Sequence, residues 1–273
     1  IESGAIEDDG SRAAPSTYGL DSTRTFFETY AGKTLFDTAA VQALAAFSAA
    51  ETAILVGDAG WADALSATGL AGALDCPILY TGRDSLNEAT AGALRDMGVG
   101  KVVVVGGTSM VSDSVLEGLR GSGVACERVW GKSYYDTQMQ VYAYGQEKGL
   151  WAGDFVVVAS GTHFADALSA APVAFARKAP VFLVDGSKDL SGAQKGTLAE
   201  LAQSSNEPIF SIVVGGVNVV SDRVIGFLDG VALYTGGSCV RLAGKTLYDT
   251  SSEVARWATE EGVLSWDGVA FAS

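Results

Sequence analysis

The chain has 273 residues, 48% of them hydrophobic, with 18 Lys and Arg set against 32 Asp and Glu. A net charge of −14 argues against a nucleic-acid partner, because phosphate contacts need clustered cations. The longest apolar runs are strand-length, short of the ~20 residues a membrane helix requires, so no membrane insertion is expected.

Residues 1–25 are mixed, acidic and rich in Ser, Gly and Ala; they show no signal-peptide pattern and read as a flexible leader. A Gly-Lys turn then opens a helical stretch, Phe36–Phe47, rich in Ala and Leu. Ala53–Val56 suits a buried strand, Ala62–Leu74 a helix, and Pro77–Tyr80 a second strand closed by Thr81-Gly82. Ser85–Met97 is an amphipathic helix with Asp84 or Ser85 as its N-cap and Gly98 as its stop. Lys101–Val105 is a third strand, Ser112–Leu119 a helix and Glu127–Trp130 a last short strand. The same course returns in Phe155–Ala159, Ala165–Ala176, Pro180–Val184, Ser191–Gln203, Ile209–Val214, Ser221–Leu228 and Val240–Leu242. Helices alternating with apolar, β-branched strands predict an α/β fold: parallel sheets with helices on both faces.

The chain repeats its phrases in a fixed order, and repeats of ~100 residues are the size of domains. GKxx[FY]DT begins at Gly32, Gly131 and Gly244; [WF]ADALSA spans Trp61–Ala67 and Phe164–Ala170; VGGxxxVSDxV spans Val105–Val115 and Val214–Val224. Gly244–Ser273 aligns without gaps to Gly131–Ser160, with 12 identities over 30 positions, and stops before a third [WF]ADALSA. The sequence is therefore expected to be part of a longer protein. Its divisions are a leader at 1–25, one repeat at 26–130, a second at 131–243 and a truncated third at 244–273.

Several motifs carry competing readings. Asp63 and Asp166 open predicted helices, where a carboxylate can cap backbone N–H groups, meet a ligand or make a contact between repeats. Asp37, Asp136 and Asp249, with the Thr that follows each, read as helix-start residues. Gly106-Gly107 and Gly215-Gly216 fit neither GxGxxG nor a P-loop and read as tight strand-to-helix turns. Phe36, Tyr135, Tyr248, Trp61 and Phe164 are packing anchors or sugar-stacking rings. The one histidine, His163, has Gly60 as its counterpart in the first repeat, and no GxSxG elbow exists, so catalysis is not expected. Cys76, Cys126 and Cys239 form no CxxC or Cys/His cluster, so neither zinc nor any other cofactor is expected, and small buried thiols are the simple reading.

This ordered set of phrases, covering residues 26–273, resembles the cell wall binding repeat 2 family of bacterial surface proteins. The resemblance implies a Toprim-like α/β fold for each repeat, repeats that pack on one another about a pseudo-threefold axis, and an extracellular location at the cell wall. It also implies non-covalent anchoring on a cell-wall polysaccharide or other anionic wall polymer. The metal-binding Glu and DxD of Toprim enzymes are missing from the matching stretches VGDAG, ASGTH, VGGTSM and VGGVNV. The family's GxxRYxTA phrase has its Arg position filled here by Leu35, Tyr134 and Leu247. The ligand-binding candidates are then Lys33, Lys132 and Lys245, Arg128 and Arg241, and Asp63 and Asp166. The alternative is a surface protein whose repeats mediate lateral assembly or hold a partner protein.

Overall fold

The computed structural model describes residues 29–267, and the expected leader at 1–25 lies outside them. The first course runs α1 (Leu35–Ala46), β1 (Thr52–Gly57), α2 (Trp61–Ser66), α3 (Thr68–Leu74), β2 (Ile78–Thr81), α4 (Glu88–Asp96), β3 (Lys101–Val105), α5 (Asp113–Gly121) and β4 (Ala125–Val129). The second runs α6 (Tyr134–Glu147), β5 (Phe155–Ser160), α7 (Phe164–Ala176), β6 (Val181–Val184), α8 (Gly192–Ser204), β7 (Phe210–Val214), α9 (Asp222–Thr235) and β8 (Cys239–Leu242). A final helix, α10 (Leu247–Glu260), follows.

The GKxx[FY]DT phrase is a helix-starting device. Thr34, Ser133 and Thr246 are the N-caps of α1, α6 and α10, and each forms a reciprocal capping box with the Asp three residues on. The cap N–H donates to that Asp Oδ2 at 3.0, 3.1 and 3.0 Å. The following Thr hydroxyl accepts from the leading Gly N–H at 2.9, 3.1 and 3.0 Å. The chain thus folds back over the first turn so closely that a Cβ on Gly32, Gly131 or Gly244 would overlap that Asp. Only glycine fits.

Each sheet has four parallel strands, in the orders β2-β1-β3-β4 and β6-β5-β7-β8. In the first, Ile54 pairs with Ile78 on one side and Val103 on the other. Alternate residues serve opposite faces: Ala53, Leu55, Val102 and Val104 join the core beneath α1, α4 and α5, while Ile54, Val56, Val103 and Val105 join one with α2 and α3. Both faces are buried, which is why the strands read as continuous apolar runs.

Helix α6 touches both sheets. Its Val141 and Tyr144 belong to the first sheet's core, and its Met139 and Tyr142 pack on the second's. Gln138 lies fully buried; its amide nitrogen donates to the Leu183 carbonyl at 2.9 Å and its amide oxygen accepts the Leu183 N–H, blocking the edge of β6. Helix α10 covers the second sheet with Val254, Trp257 and Ala258. Between the courses, α3 lies against α7 and the turn after it through backbone: a Cβ on Gly72 would overlap the Phe175 carbonyl of α7, and one on Gly69 the Ala179 carbonyl just beyond the helix.

Most element boundaries shift by one or two residues from expectation, and four departures are larger or change a cap. The N-cap of α4 is Asn87, whose side chain accepts from the Ala89 N–H at 2.9 Å, because Asp84 is paired with Arg83 and the Ser85 carbonyl accepts from Thr81. Gly98 does stop that region, with φ +72°. The stretch Ala62–Leu74 is interrupted at Ala67. Strand β4 starts at Ala125, and α9 runs on to a left-handed Gly236. The cysteines are free: Cys76 is buried, with its thiol pushed up to about 12 mainly by desolvation, while Cys126 and Cys239 are half-buried.

Candidate functional site

The repeated phrases converge at the carboxyl edge of each sheet, where open α/β sheets present their ligand sites. Gly106, at the end of β3, has φ +122°, and a Cβ there would stand 2.8 Å from Asp63 Oδ2 at the start of α2. Gly215 has φ +117° and the same relation to Asp166. The first Gly of VGG therefore makes room for the Asp of ADALSA. This corrects the capping reading of the two Asp residues: the N-cap positions are Gly60 and His163, neither of which makes a side-chain cap bond. Asp63 is buried and its Oδ1 has no hydrogen-bond partner. Desolvation pushes its pKa from 3.8 up to about 6. Asp166 is raised by the same cause, and the nearby His163 and a hydrogen bond from Thr250 oppose it.

Arg128 and Arg241 reach across from β4 and β8 to the same turns. Arg128 donates to the Gly106 carbonyl at 2.8 Å and to Asp113 Oδ1 at 3.1 Å; its side chain is 11% exposed. Arg241 donates to the carbonyls of Gly215 (2.7 Å), Val220 (2.9 Å) and Ser221 (3.3 Å), and to Asp222 Oδ1 (3.1 Å). Both guanidinium groups tie the VGG turn to the helix after it. Removing Arg241 leaves several carbonyls without their donor, so Arg241→Ala is expected to lower stability by about 2–3 kcal/mol in urea denaturation. An unchanged midpoint would free the residue for a ligand role.

Lys33, Lys132 and Lys245 stand apart from this network. All three are exposed, have no ion-pair partner among the described residues, and directly precede an N-cap. Rings gather at the seam between the courses: Trp61 lies 6.2 Å from Tyr134 and 6.0 Å from Phe164, and Tyr134 lies 4.1 Å from Tyr135. His163 is exposed, and its Nδ1 is 2.9 Å from the Thr162 hydroxyl, which lies 3.0 Å from Ser160 Oγ. Among the described residues no carboxylate is hydrogen-bonded to the imidazole. Among the described residues no group of His, Cys, Asp and Glu could hold a metal ion, and no helix is long and apolar enough to cross a membrane.

Paired α/β units with matching capped helices and matching VGG turns define a tandem-repeat module. The family model for cell wall binding domain 2 (CWB2) matches residues 29–116 and 128–225. The chain belongs to this family of cell-wall-binding modules. It is 28% identical over 242 residues to N-acetylmuramoyl-L-alanine amidase LytC of Bacillus subtilis (strain 168), covering 89% of this chain and 47% of LytC. It is 30% identical over 159 residues to the amidase enhancer of the same strain, covering 58% of this chain and 22% of that protein. Among solved structures, Cwp8 from Clostridium difficile has a TM-score of 0.68 at 29% identity, over 82% of this chain and 36% of that one. Cwp6 from the same organism shares the fold, with a TM-score of 0.72 at 21% identity, over 83% of this chain and 35% of that one. The chain thus spans less than half the length of these curated relatives and solved structures.

Proposed function

We propose that the chain is a non-catalytic anchor that holds a bacterial surface protein on an anionic wall polymer outside the cell. The observation that carries this is the triplicate lysine: three exposed cations at equivalent positions, with no ion-pair partner among the described residues, each beside the positive end of a capped helix. Each can donate charge-assisted hydrogen bonds to phosphate or carboxylate groups that recur along a polymer. In this reading Arg128 and Arg241 act with Asp63 and Asp166 to set the loops beside the lysines. The binding units are the repeats at 26–130 and 131–243, with a third beginning at 244, and the repeats work packed on one another.

Replacing Lys33, Lys132 and Lys245 together by Glu is expected to reduce binding to purified walls at least about tenfold at low salt, with thermal stability unchanged. Binding by the parent chain should also weaken as salt is added. A variant that binds walls like the parent would remove the lysines from the contact.

A second reading, lateral assembly at the cell surface, is favoured by apolar side chains left in solvent on α9 and α10. Leu233 is 87%, Tyr234 71% and Tyr248 76% exposed. It predicts self-association without walls, visible by light scattering.

A further inference from the structure

A cleft of about 330 Å³ opens between α1 and the carboxyl ends of β1 and β2. Thr38, Ala39 and Gln42 form one wall, and Asp58, Trp61 and Tyr80 the other. Its size is at the low end of the roughly 300–1,000 Å³ of small-molecule sites.

The second course has the same helix and strands but closes this space. Where α1 has Ala39, α6 has Gln138, whose side chain spans to the backbone of Leu183, the counterpart of Tyr80. Where the first course has Asp58, the second has Gly161, pressed so close to the Tyr135 ring that a Cβ would come within 2.8 Å of it. The cleft therefore follows from two residue choices made in one repeat alone.

Its chemistry is that of a sugar site. Trp61 keeps 38% of its surface in solvent beside a cleft, an apolar ring face next to polar groups. The exposed Asp58 carboxylate has no ion pair or hydrogen bond among the described residues, although its backbone N–H is held by the Thr81 carbonyl at 3.1 Å. The Gln42 amide nitrogen is directed to the Tyr30 carbonyl at 3.3 Å, leaving its oxygen as an acceptor. The Thr38 hydroxyl accepts from Gly32 N–H. The walls hold two aromatic rings, the Leu35 side chain, hydroxyls and the Asp58 carboxylate but no Lys or Arg, so a hydroxyl-rich, uncharged ligand fits and an anion is opposed by Asp58.

We propose that this cleft is a saccharide subsite that seats one neutral pyranose, its ring face on Trp61 and its hydroxyls donating to Asp58. The assignment rests on the wall-polymer reading and sharpens it: anionic groups meet the lysines, while one uncharged sugar enters the first repeat. The test follows the Trp61 indole N–H by NMR in the full chain, titrated with methyl glucoside, N-acetylglucosamine and, as the anionic comparison, glucuronate. A saturable shift is expected with at least one neutral sugar, with glucuronate about tenfold weaker or more. Ala39→Gln, which rebuilds the closure of the second repeat, should abolish the shift and keep the parent melting temperature. Asp58→Asn should erase the preference over glucuronate.

No shift with any of these sugars, or a shift that survives Ala39→Gln, overturns the subsite. So does a change of oligomeric state in Ala39→Gln without sugar binding, which would make the cleft a protein contact. A chain that sediments with walls yet shows no Trp61 response refutes the subsite alone. One that responds to sugar but ignores walls refutes the anchoring reading alone.

Discussion

Gly72→Leu is expected to destabilise the protein by about 3 kcal/mol or more, the upper range for overpacking, because neither neighbour of the new side chain can yield. Helix α3 meets α7 at Gly72, where even a Cβ would overlap the Phe175 carbonyl, and one turn away at Gly69, against the Ala179 carbonyl. Both obstacles are backbone, one in α7 and one in the turn that follows it, so relief requires α3 to move away from that whole segment. Parting them also opens the core in which Phe175 of α7 packs with Leu70 and Ala71 of α3. The matched control is Gly118→Ala in α5, where an added Cβ meets nothing within 4 Å. There alanine should stabilise the helix by up to about 1 kcal/mol. Urea denaturation reads both. If Gly72→Leu unfolds at the parent midpoint, the repeats do not hold this contact in solution.

The second large effect is electrostatic. Asp63→Asn should raise stability at neutral pH by about 1–3 kcal/mol and flatten its dependence on pH between 4 and 7. The folded-state pKa of about 6 lies above the ordinary 3.8, so the folded protein holds a proton that the unfolded chain has released. That contribution is full below about 3.8 and is lost as pH rises through 6. Above it, a carboxylate with an unpartnered Oδ1 sits beneath Gly106, and asparagine keeps the shape without the charge. Asp166 acts in the same direction, whereas Glu127 and Asp185, both lowered by hydrogen bonds, act in the opposite one. The informative quantity is therefore variant minus parent across pH, followed by thermal melting. A difference that is constant from pH 4 to 7 would contradict the burial of this charge.

Legibility in the sequence followed range. The helix-start role of Asp37, Asp136 and Asp249 was readable because it is local, while the reciprocal boxes with Thr34, Ser133 and Thr246 came with the structure; the parallel α/β architecture was readable because strands buried on two faces need unbroken apolar runs. The union of ADALSA with VGG was not, since Asp63 and Gly106 are 43 residues apart and meet only once β1 and β3 are paired. A recurrent Asp and a recurrent Gly-Gly, both present in each full repeat, were the available signal, and local chemistry offered a simpler account of each. Gly69 and Gly72 read as weak helix formers in a helical stretch; their purpose appears only with α7 in place. Asp84 or Ser85 was the expected cap and Asn87 was passed over, although its residue type suits the role equally; tertiary bonds decided among them. The candidate lysines were legible as recurring cations. Their exposure, and the commitment of Arg128 and Arg241 to the VGG turns, required coordinates.

Cosedimentation with cell walls decides whether exposed cations hold this chain on a wall polymer. The purified chain is mixed with cell walls of the bacterium that encodes it, intact or chemically stripped of their secondary polymer. The chain is expected to pellet with intact walls, to be released by added salt, and to stay in solution with stripped walls. Equal recovery with stripped walls, or none with intact ones, would contradict it.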